Sequence, residues 1–71
     1  MIKKSRIPIR LPELRAERNI SQRQLGRLIT SSGSVIARWE KGILEPSAEN
    51  IIALCEFFGC SADFLLGLKD E

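Results

Sequence analysis

The chain has 71 residues, of which 44% are hydrophobic, and its formal net charge is +2. This length allows one domain at most and leaves no room for a deep enzyme cleft beside a core. The sequence contains no histidine, the usual general base near neutral pH, and its two cysteines are not spaced as zinc ligands. We therefore expect neither an enzyme nor a protein with a metal or another cofactor. No apolar run reaches the roughly 20 residues of a membrane span, so a cytoplasmic protein without membrane contact is expected.

Charge is divided unevenly along the chain. Residues 1–41 hold ten basic and three acidic residues, whereas residues 42–71 hold one basic and six acidic residues. This division favours a polyanion as the partner of one face and a different contact for the other. On charge alone, a solvated basic surface without a partner is an equally good interpretation.

The first predicted helix begins at Leu11 and ends at Asn19. Pro12 fits its first turn, where a missing N–H costs little, and Asn19 fits a left-handed cap. Ile7 to Ile9 are predicted to be extended, because proline disfavours helix in the residue that precedes it. Residues 1–10 then form a basic N-terminal arm. Its cations either follow the backbone of a polyanion or belong to a disordered end: Lys3, Lys4 and Arg6.

Four further helices follow, each preceded by a serine that fits the N-cap position. Ser21 and Gln24 form a capping box for the second helix, from Gln22 to about Ile29. The remaining three are predicted to span about 33–41, 48–58 and 62–66, each with a glycine directly after it as a stop. The N-caps are Ser32, Ser47 and Ser61, and the stops are Gly42, Gly59 and Gly67.

Apolar residues at helical spacing predict the inward faces of these helices. The second helix has Leu25, Leu28 and Ile29. The third has Ile36 and Trp39, with Val35 at the edge, and we expect Trp39 to anchor the helix rather than stack on a base. The fourth has Ile51, Ile52, Leu54, Cys55 and Phe58. Both cysteines, Cys55 and Cys60, are expected to be small apolar fillers.

The predicted fold class is therefore all-α. About three residues separate the second helix from the third, and so short a break forces a steep crossing. In this unit the second of the two helices enters the major groove of DNA. Residues 31–34 would then meet the DNA, because they lie at the N-terminal end of that helix. Their small size lets the backbone and its N–H groups come close.

The sequence resembles the Cro/C1-type helix-turn-helix repressor family. The resemblance rests on Ser21-Gln22-x-x-Leu25, Ile36-x-Arg38-Trp39-Glu40-x-Gly42, Pro46-Ser47, Ile51-Ile52-x-Leu54 and Leu65-Leu66-Gly67. It implies a five-helix lambda-repressor-like DNA-binding domain at 11–67, between the basic arm and an acidic tail at 68–71. It also implies a sequence-specific transcriptional regulator, expected to be a repressor, whose partner is double-stranded DNA.

The resemblance also assigns roles to individual residues. Gln22 matches a position that contacts a phosphate and braces the recognition helix, and Lys41 matches another phosphate contact. Arg15 and Glu40 match a salt bridge between helices 1 and 3. The other candidate DNA-binding residues are Arg23, Ser32, Gly33, Ser34, Val35 and Arg38, with Val35 placed against a thymine methyl group and Arg38 suited to guanine.

Two positions depart from the family pattern. Thr30 stands where the family usually has glycine in the turn, so a non-glycine residue must tolerate an unfavourable backbone geometry. Gly33 stands where many members carry a long side chain that reads bases. Arg38 is then the one long side chain on the predicted groove face.

An apolar patch near the C-terminus either closes the core or forms a homodimer surface: Phe57, Phe64, Leu66 and Leu68. The resemblance favours a dimer that reads two half-sites. Two alternatives to a transcriptional regulator stay open. One is an antitoxin or restriction-modification controller whose acidic C-terminal half binds a protein partner. The other is a protein-interaction module that does not bind DNA.

Overall fold

A computed structural model describes residues 4–70 of the chain. It contains five α-helices in the order α1 (Ile7–Arg18), α2 (Gln22–Leu28), α3 (Gly33–Lys41), α4 (Ala48–Phe58) and α5 (Ala62–Leu66). No strand occurs within the described range. The all-α prediction is confirmed, and helices 2 to 5 lie within one residue of their predicted bounds.

The helix ends follow the cap residues of the sequence. Each N-cap hydroxyl of α2 to α5 accepts the backbone N–H three residues later, and the caps of α2 and α4 are complete capping boxes. The residue after α1, Asn19, is left-handed with a φ of 54°. The glycines after α3, α4 and α5 are left-handed as well: Gly42, Gly59 and Gly67.

The predicted start of helix 1 at Leu11 is wrong, because α1 begins four residues earlier, at Ile7. Pro8 lies in the first turn, where its missing N–H costs nothing, and Pro12 lies inside the helix. The free energy that favours a helix here comes from Ile7 and Leu11, which are one turn apart and both fully buried. Burying two such side chains stabilises the helix by about 3–6 kcal/mol, which offsets the roughly 3 kcal/mol cost of an internal proline.

The first helix therefore includes residues 7–10 of the predicted arm. Of the arm's cations, Lys4 and Arg6 precede α1, and Lys3 lies outside the described residues. Arg6 N–H donates to the backbone oxygen of Leu66 at 3.1 Å. The beginning of α1 is thus joined to the end of α5.

The core lies where all five helices meet. Trp39 is 2% exposed, so it packs inside the domain as expected. Two other predictions about inward faces are wrong: Leu28 is 56% and Ile52 is 58% exposed, since each lies on the flank of its helix. The buried core consists of Ile7, Leu11, Leu25, Ile29, Ile36, Trp39, Leu54, Phe58 and Leu65. None of the helices within the described range is long and apolar enough to cross a membrane.

Candidate nucleic-acid interface

The turn between α2 and α3 is held by a close backbone approach. Ser31 N–H donates to the backbone oxygen of Gly26 at 2.6 Å. A Cβ atom on Gly26 would lie 2.5 Å from the carbonyl carbon of Ser32, which no side chain could tolerate. Thr30 has a φ of 60°, so the predicted unfavourable geometry at this position is present. Glycine at 26 and a left-handed residue at 30 together allow α3 to begin directly against α2.

Three sides of α3 have different surroundings. Ile36 and Trp39 face the core. Gly33 and Glu40 lie on the side that faces α2, since Gly33 lies against the backbone of Arg23 and Glu40 accepts a hydrogen bond from Gln22. The outer face is exposed and is formed by residues spaced four and three apart: Ser34, Arg38 and Lys41.

Glu40 joins α3 to both preceding helices. Arg15 Nε donates to its Oε2 at 2.6 Å, and Arg15 Nη2 donates to its Oε1 at 2.8 Å. Gln22 Nε2 also donates to Oε1, at 2.9 Å. The hydrogen bond with Glu40 is the main cause that raises the pKa of Arg15 above its ordinary value. Because Arg15 stays charged and neutralises Glu40, neither residue adds net charge to the outer face.

The cations of α1, α2 and α3 fall into two groups. The arginines of α1 form hydrogen bonds with other parts of the protein. Arg10 Nη1 donates to the backbone oxygens of Phe64 and, at 2.7 Å, Lys69, and Arg18 Nη2 donates to the backbone oxygen of Phe58 at 3.2 Å. The cations of α2 and α3 have no hydrogen bond or ion pair from any residue in the described range: Arg23, Arg27, Arg38 and Lys41. The only carboxylate on these two helices is that of Glu40, so this side of the molecule is strongly positive.

The N-terminal end of α3 is open to solvent. Ser32 Oγ accepts the N–H of Val35 at 3.2 Å and lies 3.4 Å from Ser34 Oγ. The N–H groups of Gly33 and Ser34 belong to the first turn, where an α-helix offers no internal acceptor. Val35 is half-buried and packs against the core, so only part of its side chain is available for the predicted contact with a thymine methyl group.

Gly33 lies against the beginning of α2. A Cβ atom there would lie 3.0 Å from Arg23 Cα and 3.1 Å from Arg23 N. The direction of a side chain at 33 is therefore toward α2, and only the backbone of Gly33 is left for a partner. Sequence analysis missed this contact because it joins residues ten apart whose relation depends on the helix crossing.

The predicted apolar patch is largely covered within the chain. Phe57, Phe64 and Leu66 are half-buried, and Leu68 is 66% exposed. The guanidinium of Arg10 lies 4.2 Å from the centroid of the Phe64 ring. Phe57 and Leu66 therefore pack against the core, whereas Phe64 is covered by Arg10 and Leu68 is mainly exposed.

The cysteines lie across the C-terminal end of α4. Cys60 N–H donates to the backbone oxygen of Cys55 at 3.1 Å. No disulfide joins them, and both are half-buried against the core. Burial, and next the adjacent Cys60, raises the pKa of the Cys55 thiol. Both are therefore packing residues, as expected, and no group of three metal-ligating side chains comes together within residues 4–70.

Comparison with known proteins gives consistent results. The helix-turn-helix family model matches residues 12–65. Repressor protein C2 of Salmonella phage P22 is 37% identical over 57 residues, which make up 80% of this chain and 26% of that protein. The HTH-type transcriptional activator BcrR of Enterococcus faecalis is 33% identical over 57 residues, which make up 80% of this chain and 28% of that protein. This chain thus spans about a quarter of the length of these curated relatives.

A solved structure gives the same comparison in three dimensions. The crystal structure of the P22 c2 repressor protein in complex with a synthetic operator has a TM-score of 0.80 and 35% sequence identity to this chain. The match covers 84% of this chain and 91% of that one. The five helices therefore have the arrangement of a helix-turn-helix repressor domain.

Proposed function

Since this chain belongs to the Cro/C1-type helix-turn-helix family, we propose that it binds DNA in a sequence-specific manner and regulates transcription as a repressor. The observation that carries the proposal is the outer face of α3, where the exposed side chains of Arg38 and Lys41 have no hydrogen bond or ion pair from any described residue. We also propose a cytoplasmic location, because the proposed partner is DNA. One curated relative is a repressor and the other an activator, and the first is the more similar.

Binding begins with the phosphates, which set the position of the domain on the duplex. Lys41 lies at the last turn of α3 and Gln22 at the first turn of α2, and we assign a phosphate to each. The N–H group of Ser34, an exposed residue in the first turn of α3, supplies a further donor to a phosphate or a base edge. Arg15 and Glu40 make no DNA contact in this mechanism, because they hold α1, α2 and α3 at fixed positions.

Arg38 reads the bases in this mechanism. It is exposed on the outer face of α3, and no described group holds its guanidinium. An arginine in the major groove donates two hydrogen bonds to O6 and N7 of guanine. We therefore assign a guanine in the operator to Arg38, with Ser34 beside it on the same face.

We also propose that the regulator is a homodimer, because two copies read a two-fold symmetric operator. Leu68 is the exposed apolar side chain next to α5, and the half-buried Phe64 and Leu66 precede it by four and two residues. We expect Leu68→Gln to weaken self-association by about tenfold, measured by sedimentation equilibrium. Leu28→Gln is the matched control, because Leu28 is similarly exposed but lies on α2. Equal behaviour of the two variants would place the dimer surface elsewhere.

The base-reading role of Arg38 is tested by substitution. Arg38→Ala should weaken binding to the selected operator by about 1–3 kcal/mol more than binding to a scrambled duplex. Lys69→Ala removes the same charge from the end of the molecule that lies beyond α5, and it should leave the difference between the two duplexes unchanged. Equal losses on both duplexes for Arg38→Ala would make Arg38 a phosphate contact.

The function itself is tested by selection from random duplexes at two salt concentrations, followed by sequencing of the retained DNA. A two-fold symmetric motif that contains guanine is the expected result. Salt-sensitive retention without a motif would leave only nonspecific DNA binding. No retention at either salt concentration would favour the protein-interaction module.

A further inference from the structure

Because Gly33 has no side chain, α2 packs directly against the backbone of α3 at this position. The position that a Cβ of Gly33 would take lies 3.3 Å from Arg23 Cβ. Arg23 Cβ therefore lies close to the position that the Cβ of a side chain at residue 33 would take. The long side chain beside position 33 therefore comes from α2.

The two residues at the start of α2 differ in what holds them. Gln22 is tied to the far end of α3, since its Nε2 donates to Glu40 Oε1 at 2.9 Å. Arg23 is exposed and lies at the near end, against Gly33. No carboxylate or carbonyl group in the described range holds its guanidinium. Its side chain is therefore free to extend past the open end of α3.

We infer that Arg23 is a specificity-determining residue that crosses the unoccupied side of Gly33 and binds the edge of a guanine. This inference rests on the proposed function and adds a second base-reading residue to it. Arginine has the length and the paired donors that guanine O6 and N7 require. Gly33 is needed because any side chain at 33 would occupy the path of Arg23.

The two readers contact different base pairs. Gly33 and Arg38 are five residues apart on α3, which corresponds to about 7.5 Å along the helix axis. This is roughly two base-pair steps of 3.4 Å. Loss of one reader should therefore relax one position of each half-site and leave the other position unchanged.

The experiment is selection from random duplexes with the whole chain and with Arg23→Ala, followed by affinity measurements on the wild-type motif and on single-base variants. We expect Arg23→Ala to lower the preference for guanine at one position by about 10- to 100-fold. The preference assigned to Arg38 should persist. Arg27→Ala is the matched control, because Arg27 lies one turn further along α2 and should change binding to all duplexes equally. Thermal unfolding of each variant shows that the fold is kept.

A second variant tests the role of the glycine. In Gly33→Ala the new Cβ would lie 3.0 Å from Arg23 Cα, so α2 and Arg23 must shift. We expect a loss of preference at the Arg23 position with the Arg38 position retained. Equal weakening on every duplex by Arg23→Ala would overturn the inference and make Arg23 a phosphate contact. A wild-type chain that selects no motif would instead overturn the proposed function, and the inference with it.

Discussion

At the scale of single residues, Glu40 joins α3 to both α1 and α2. Its side chain is 7% exposed and accepts hydrogen bonds from a guanidinium of α1 and an amide of α2. A buried carboxylate is stable only when its oxygens are paired in this way. The same two partners fix the direction of α3, so the contact that pairs the charge also orients the proposed recognition helix.

Replacing this carboxylate by its neutral isostere should destabilise the fold. In Glu40→Gln, an amide N–H₂ group would face Arg15, and one charged hydrogen bond would be lost while the guanidinium stays charged. We expect the free energy of unfolding to fall by about 2 kcal/mol, measured by urea denaturation at pH 7.

The matched control is Glu13→Gln, because Glu13 is an exposed glutamate on α1 with no ion pair to another described residue. It should change the free energy of unfolding by less than about 0.5 kcal/mol. A change of the same small size in Glu40→Gln would show that the Arg15 pair does not stabilise the domain.

At the scale of the helices, the turn between α2 and α3 contains a strained residue. Thr30 has a φ of 60°, and threonine is β-branched, so it tolerates this region poorly. Asn19, at the end of α1, has a φ of 54°, and asparagine is one of the residues that accept this conformation. The two positions differ in residue type and share their backbone geometry, which makes them a matched pair.

We expect Thr30→Gly to raise the free energy of unfolding by about 0.5–1 kcal/mol. The relief of left-handed strain, about 1–2 kcal/mol, exceeds the entropy that glycine adds to the unfolded chain, about 0.4–1 kcal/mol. Asn19→Gly should leave the stability within about 0.5 kcal/mol of the original. Thermal and urea unfolding measure both variants. Stabilisation of the same size in both, or in neither, would mean that the turn does not strain Thr30.

The helix ends could be read from the sequence because their causes are local. Serine before each of α2 to α5, and glycine after α3 to α5, act on backbone groups within four residues. The start of α1 could not be read in this way. Pro8 and Pro12 argue locally for extended chain, and only the burial of Ile7 and Leu11 against other helices decides for a helix. The same holds for Gly26 and Gly33, whose contacts arise from helix packing.

At the scale of the whole molecule, the uneven charge is partly used inside the fold. Arg10 Nη2 lies 3.6 Å from Asp70 Oδ1, and Arg18 Nη2 donates to the backbone oxygen of Phe58 at the end of α4. These two cations of the basic half therefore hold the acidic half in place. The cations of α2 and α3, which no described residue pairs with, are concentrated at one side. Net charge along the sequence therefore overstates the number of DNA contacts, because it counts structural arginines with the others.

The salt dependence of binding shows how many chains bind one operator, because it counts the phosphates that the cations neutralise. The logarithm of the binding constant falls with the logarithm of salt concentration by about 0.9 for each phosphate contact. Lys41→Gln removes one proposed phosphate contact per chain. We expect the slope to become shallower by about 2 if two chains bind one operator and by about 1 if one chain binds. The slope is measured by fluorescence anisotropy with a labelled operator at several salt concentrations.

Lys69→Gln is the control for a change in total charge. Lys69 lies 3.8 Å from Asp63 and follows α5, away from the outer face of α3, so its loss should leave the slope unchanged. A decrease of about 2 for Lys41→Gln alone supports both the phosphate contact and the dimer. A decrease of about 1 keeps the contact and contradicts the dimer, because each bound chain contributes one Lys41. An unchanged slope contradicts the phosphate contact, since counterion release depends on the number of neutralised phosphates and not on the charge elsewhere in the protein.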